Sequence, residues 1–181
     1  MNTSTAKCRV CSKEFVRMNS LQIVCGVLCA RRLPVVTRKA EKAATRNAKE
    51  AMKTKPQLLV EAQIEFNKYI RARDAGKPCI CCGKTPQSEA LTGGEWDAGH
   101  YRSRGACPEL AFDERNCHAQ LKRCNRRAWD VAGYRANLID RIGLSEVVSL
   151  EGPHPPRKDT RDDLRTVRDT YRAKARMAAK C

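Results

Sequence analysis

The residues whose types and spacing could do chemistry lie in one short stretch: Asp97-Ala-Gly-His100, then Asn116-Cys-His118, then Cys124-Asn125. Phosphodiester hydrolysis needs a base to activate water, a divalent cation to offset charge on the scissile phosphate, and a group that orients the base. All three types occur here. His100 is the natural base, because a neutral imidazole accepts a proton near pH 7, and Arg102 or Arg104 could hold the adjoining phosphate. Asp97, with Asn125 or His118, could supply ligands to Mg2+ or Mn2+, since hard cations favour carboxylate and amide oxygen. Taken singly, each residue has a plainer explanation: an exposed His is common, and Asn116 suits a turn or a cap. The ordered set carries the weight.

A second chemistry is thiolate. Cys8-x2-Cys11 and Cys25-x3-Cys29 are two chelating pairs separated by 13 residues, which lets the second pair fold back and complete a tetrahedral Zn2+ site. Binding energy at such a site doubles as folding energy for a module with almost no core. Lys13, Arg17 and Arg31 beside it are candidate DNA contacts. Cys79-x2-Cys82 is a second half-site, followed by Gly83, which allows the positive φ of a tight knuckle. Its other half is incomplete, because the residue three before Cys124 is Leu121. Cys117 cannot replace it if both lie on one helix, where seven residues span about 10 Å. Three arrangements stay open: the helix starts after His118, or Cys81 contributes, or the site has three ligands.

These residues must be held by few elements. Residues 37–54 are polar nearly all round, with an alanine stripe, and predict a mobile linker helix. Thr54 and Gln57 form a helix start; Leu59, Ala62, Phe66 and Ile70 then recur at helical spacing as far as Gly76. A knuckle over 77–83, a turn at Thr92-Gly-Gly94 and an extended run from Glu95 to Tyr101 follow. Between Asn116 and Gly133 a brief extended piece gives way to helix, and Trp129, Ala132, Ala136, Ile139 and Ile142 make a second stripe ending at Gly143. After a proline-rich joint at 152–156, Thr160 and Asp163 open a basic helix carrying Leu164, Val167 and Tyr171. Four segments result: a four-cysteine zinc module (1–34), a basic linker helix (35–56), a central domain with packing helices (57–150) and a basic C-terminal helix (151–181).

Composition limits the partners. Of 181 residues, 36 are Lys or Arg and 20 Asp or Glu, leaving a charge of +16, and aromatics make up only 5%. A single large apolar core is excluded, and a polyanion is favoured over an acidic small molecule. Eleven cysteines at short spacings read as zinc ligands in a reducing compartment. The longest apolar run, 21–30, is too short and too interrupted to span a bilayer, and 1–7 lacks signal-peptide form, so no membrane is expected. By segment the charge is +5 over 1–34, +6 over 35–78, zero over 79–125 and +5 over 126–181. Basic arms around a neutral centre suit a chain that grips phosphates while keeping carboxylates for a metal; solvated helix faces are the plainer reading of any one arm.

At the residues of the first paragraph the sequence resembles the His-Asn-His nucleases, also called ββα-metal or His-Me finger nucleases. Over nearly its whole length it resembles the NinG family of lambdoid phages. The stretches that carry this are CRVCSKEF, FNKYIRARDAGKPCICCG, DAGHYRSRGACPEL, ERNCHAQLKRCNR, RIGL and EGPH. The resemblance implies an α+β fold: a small zinc-stabilised ββα-metal nuclease core with flanking helices and an N-terminal zinc-ribbon-like module. It implies a phage recombination endonuclease that cuts branched DNA, such as Holliday junctions and D-loops, with Mg2+ or Mn2+ for catalysis and Zn2+ for structure. His100 then matches the general base, Asn116 the asparagine that orients it, and Asn125 the helix-borne metal ligand. Cys8, Cys11, Cys25, Cys29, Cys79, Cys82 and Cys124 are the zinc set, and Arg102, Arg104, Arg123, Arg126 and Arg127 the DNA contacts.

Two departures stand out. The superfamily's metal-binding Asp directly precedes the base, whereas Gly99 occupies that place here, so Asp97 can join the metal only if Gly99 permits a bulge; otherwise His118 is the second ligand. Leu121 is the other departure. A four-way junction has two-fold symmetry, so a homodimer is expected, with Leu59, Phe66 and Ile70 or the C-terminal helix as the interface. The expected setting is the host bacterial cytoplasm, with other phage recombination proteins as further partners. The competing readings are a non-catalytic zinc-stabilised DNA-binding protein and a general His-Asn-His nuclease that cuts linear duplex.

Overall fold

The computed structural model describes residues 4–85, 95–127 and 131–180. The chain divides into two compact units, 1–53 and 54–181.

In the first unit a short antiparallel hairpin joins β1 (Thr5–Lys7) to β2 (Glu14–Val16), with Ala6 opposite Phe15. A single helix follows, α1 (Val27–Ala51), which buries none of its residues. It begins ten residues before the predicted linker helix and already contains Cys29, so it grows out of the cysteine module rather than following it.

The second unit starts with α2 (Lys55–Arg73). Thr54 and Gln57 close a capping box at its N-terminus, with the Thr54 N–H donating to Gln57 Oε1 at 2.9 Å. The buried stripe is Leu58, Ala62, Phe66 and Ile70; Leu59, expected inward, is 44% exposed. The reason is tertiary: α6 (Arg161–Ala178) packs along α2, and this contact turns Leu58 inward. Thr160 and Asp163 cap α6, and Leu164 is buried with Val167 and Tyr171 packed beside it. Phe66 and Ile70 are fully enclosed by this packing, so of the two roles the pattern allowed, interface or packing within the chain, these two residues take the second.

Between these helices in chain order come β3 (Trp96–His100) and β4 (Cys117–Leu121), an antiparallel pair in unbroken register from Trp96 opposite Leu121 to His100 opposite Cys117. At the end of β4 the chain turns directly into α3 (Lys122–Arg127), giving a strand-strand-helix order. Then come α4 (Val131–Ile142) and α5 (Leu144–Glu151), divided by Gly143 at φ 91°, where a side chain would be strained. The inward residues of α4 are Tyr134 and Leu138, with Ile139 and Ile142 beside them; Ala132 and Ala136 face out, contrary to the expected stripe. Trp129 and the turn at 92–94 lie outside the described residues.

Two modest apolar clusters replace a single large core. One gathers Ile80, Leu110, Leu121, Tyr134, Leu138, Val147 and Leu150; the other sets Leu58, Phe66, Ile70, Phe112 and Leu164 around the α2–α6 contact. Asp74, at the end of α2, ties that helix to β4. It is 2% exposed and accepts the Ala119 N–H at 3.0 Å, while Arg73 reaches across to the Cys117 carbonyl at 2.8 Å. Burial would raise the Asp74 pKa, but the Arg73 guanidinium and the Ala119 N–H hold it down to about 2.

Candidate functional site

Two cysteine groups come together. Cys8, Cys11, Cys25 and Cys29 hold their sulfurs within 4.8 Å of one another, and so do Cys79, Cys82 and Cys124. A tetrahedral zinc with Zn–S near 2.3 Å has sulfur-sulfur edges of about 3.8 Å. The Cys11–Cys25 and Cys25–Cys29 separations are 3.6 and 3.7 Å, so the first group fits that ion, and the sulfurs are too far apart for disulfides. The Cys11 N–H draws the Cys8 thiol down to about 6, while sulfur hydrogen bonding with Cys25 pushes Cys29 up to about 12. Four sulfurs at this spacing could hold a metal ion such as zinc, whose binding would draw off the remaining thiol protons.

The two knuckles are built alike. In the first, the Ser12 N–H donates to Cys8 O at 2.9 Å and the Cys8 N–H to Lys13 O at 2.9 Å. In the second, the Gly83 N–H donates to Cys79 O at 2.9 Å and the Cys79 N–H to Lys84 O at 3.0 Å. The residue after each second cysteine has positive φ, 58° at Ser12 and 66° at Gly83. Cys117 lies on β4 and α3 starts only at Lys122, so the helix does begin after His118, yet Cys117 stands outside the three-sulfur group. Cys117 is fully buried at the opposite end of β4 from Leu121, and burial pushes its thiol well up. Cys81 is buried but stands outside the three-sulfur group.

The chemical constellation is brought together only in part. Successive strand residues point to opposite faces, so this register places Ala98, His100, Cys117 and Ala119 on one face of the hairpin and Asp97, Gly99, His118 and Gln120 on the other. No bulge occurs at Gly99. That glycine instead makes room for Gln120, whose Oε1 takes the space a β-carbon would need.

On the first face the half-buried His100 ring stands 6.0 Å, centroid to centroid, from Phe66. Its Nε2 is 3.0 Å from the Ala111 carbonyl, and its Nδ1 is 3.6 Å from Cys117 Sγ. A carbonyl only accepts, so the proton sits on Nε2 and the lone pair on Nδ1. Burial, with a smaller contribution from Arg104, lowers the His100 pKa, which keeps the ring neutral near pH 7 against the opposing pull of the Ala111 carbonyl.

Asn116 closes the loop between the strands. It is fully buried: Oδ1 accepts the Arg102 N–H at 2.8 Å, and Nδ2 donates to Arg102 O at 3.0 Å and Leu110 O at 3.1 Å. Leu110 precedes Ala111, so Asn116 fixes the segment whose carbonyl orients His100. Sequence reasoning had no access to this link, because the Ala111 contact is made by backbone. Asp74 was missed too; an Asp after a helical Arg carries no signal of burial.

On the second face Asn125 Nδ2 donates to Asp97 Oδ2 at 3.1 Å, joining the start of β3 to α3. Carboxylate plus amide is a donor set that suits Mg2+ or Mn2+. His118 shares that face but is 3% exposed, and its Nδ1 is buried without a hydrogen-bond partner. Burial, reinforced by Arg73, pushes its pKa down to about 3. Arg141 and Lys77 lower it further, while the Asp74 carboxylate opposes them. Arg104, Arg123 and Arg126 are exposed and Arg102 is half-buried, its Nε near Cys107 Sγ. The Arg127 side chain lies outside the described residues.

The fold and site define a mixed α+β protein with small sheets, several helices and two cysteine groups able to hold a metal such as zinc. The chain belongs to the NinG family: the family described as "Bacteriophage Lambda NinG protein" matches residues 2–180. It is 39% identical to "Protein ninG" of Salmonella phage P22 over 127 residues, 70% of this chain and 60% of that protein. With "Protein ninG" of Escherichia phage lambda the identity is 38%, over 70% of this chain and 59% of the relative. With that of Enterobacteria phage H19B it is 33% over 182 residues, 90% of this chain and 88% of the relative. The chain thus aligns with about three fifths of the first two relatives and most of the third. No solved structure matches it.

Proposed function

We propose that this chain is a divalent-cation-dependent endonuclease of the His-Me finger type that acts on branched DNA during phage recombination. The observation that carries the reading is the Asn116 clamp, which fixes the loop so that the Ala111 carbonyl meets His100 Nε2 and leaves Nδ1 as the basic nitrogen. The strand-strand-helix order and the Asp97–Asn125 pair support it.

On this reading His100 takes the proton from the attacking water. Asp97 and Asn125 would hold Mg2+ or Mn2+, which when bound offsets charge on the phosphate and the leaving oxygen. Arg102, Arg104, Arg123 and Arg126 hold the flanking phosphates. The cysteine groups would hold Zn2+ structurally and leave the hydrolysis to the other side chains. Host cytoplasm is the matching setting, and among the described residues no helix is long and apolar enough to cross a membrane.

One observation favours a non-catalytic zinc-stabilised DNA-binding protein instead: His100 and the Asp97–Asn125 pair occupy opposite faces of the hairpin. Incubating the protein with labelled four-way and linear DNA in Mg2+ or Mn2+ separates the readings. The nuclease reading expects junction cleavage in preference to linear duplex. Binding with no cleavage in either cation establishes the other, and equal cutting of both substrates points to a general nuclease.

A further inference from the structure

In the first cysteine group, one ligand (Cys25) lies just before a helix and one (Cys29) in that helix's first turn. The second group repeats the plan: Cys124 sits in the first turn of α3, and the residue just before that helix is Leu121. The knuckles share the same pair of backbone hydrogen bonds, and in the other half the second site has Leu121, three residues before Cys124, where the first has Cys25, four before Cys29. Among the described residues, no further Cys, His, Asp or Glu donor lies within 4.8 Å of all three sulfurs of Cys79, Cys82 and Cys124. Leu121 is nearly fully buried, packs in the same cluster as Cys79 and Cys82, and donates its N–H to Cys79 Sγ at 3.3 Å. A cavity of about 260 Å3 lined by Glu95, Leu121, Lys122 and Arg123 opens beside it.

We infer that the second site holds zinc through three thiolates and leaves its fourth position to an exchangeable Lewis base from solution, so that one of the chain's two zinc ions is labile. Purely structural zinc is closed by four protein ligands, whereas three protein ligands leave a fourth position for an exchangeable small ligand. Occupancy of this site has a local consequence. Cys124 immediately precedes Asn125, so the ion staples the 79–83 knuckle to the turn that carries Asn125 to Asp97. Losing it frees that turn while the four-cysteine site stays closed. The effect on cleavage rests on the nuclease reading; the lability does not.

The test uses the full chain loaded with two equivalents of zinc and challenged with the chromogenic chelator 4-(2-pyridylazo)resorcinol. Two release phases are expected, separated by roughly tenfold or more, since losing even an outer-shell partner of a ligand changes metal affinity on that scale. Cys124→Ser removes the fast phase, and Leu121→Cys converts it to a slow one. In the cobalt-substituted chain, added imidazole shifts the visible absorption of one of two ions, and Leu121→Cys abolishes the shift. The cobalt spectrum of the unaltered chain stands if either variant fails to fold. A single bound zinc, two equally slow phases, insensitivity to imidazole, or a fast phase accelerated by Cys81→Ser would overturn the inference. None of these readouts involves DNA, so a chain that shows the open site yet cuts nothing removes only the nuclease reading.

Discussion

Asn116 shows how much one buried amide can position. Its three hydrogen bonds satisfy both ends of the loop that sets His100, and truncation leaves the Arg102 N–H and two carbonyls without their partner. Asn116→Ala should cost roughly 2–4 kcal/mol, read as a lowered urea midpoint at unchanged slope. His118 makes a pH prediction. An unfolded His takes up a proton near pH 6.5, whereas the folded His118 stays neutral to about 3, because burial and Arg73 disfavour its charge. The unfolded state therefore binds the proton first as acid is added. Its stability contribution is complete above pH 6.5 and falls below it by about 1.4 kcal/mol per pH unit. Urea unfolding at pH 7.5 and 5.5 should show the loss, and His118→Gln should flatten it. Equal slopes in the two proteins would refute the assignment.

At the scale of elements, the sequence was legible where structure is local. Both capping boxes, at Thr54/Gln57 and Thr160/Asp163, read directly from residue spacing because a cap depends on four consecutive residues. The buried face of α2 did not, since α6 decides which side is inward and lies about a hundred residues away. The extended piece after Asn116 was legible as β4, but its facing was not: all five residues are buried, His118 and Gln120 included, so no alternation marks which side is inward. The cysteine groups were legible because chelation fixes spacing, and the Asp97–His100 relation was not, because facing depends on register. Phe66 joins the elements by meeting Phe112, Tyr171 and His100 at ring-centroid distances of 5.7, 4.7 and 6.0 Å. Phe66→Ala should destabilise the chain by about 3–5 kcal/mol, with a matching fall in melting temperature. A change below 1 kcal/mol, or roughly that, would mean the α2–α6 contact carries little of the fold.

For the molecule as a whole, a charge of +16 spread over both flanks makes salt the first variable to control. Were six or so phosphates contacted, affinity for DNA should fall roughly a thousandfold between about 50 and 200 mM salt, measurable by fluorescence anisotropy. A flat salt response would argue against a phosphate-gripping surface altogether. The central claim is narrower, and concerns one ring held by one carbonyl. It is tested by single-turnover cleavage of a labelled four-way junction by the unaltered chain and by His100→Ala, with junction binding and zinc content measured on the same samples. The account predicts cleavage reduced at least about a hundredfold in the variant, with binding and zinc unchanged. Cleavage by His100→Ala at the unaltered rate would contradict it.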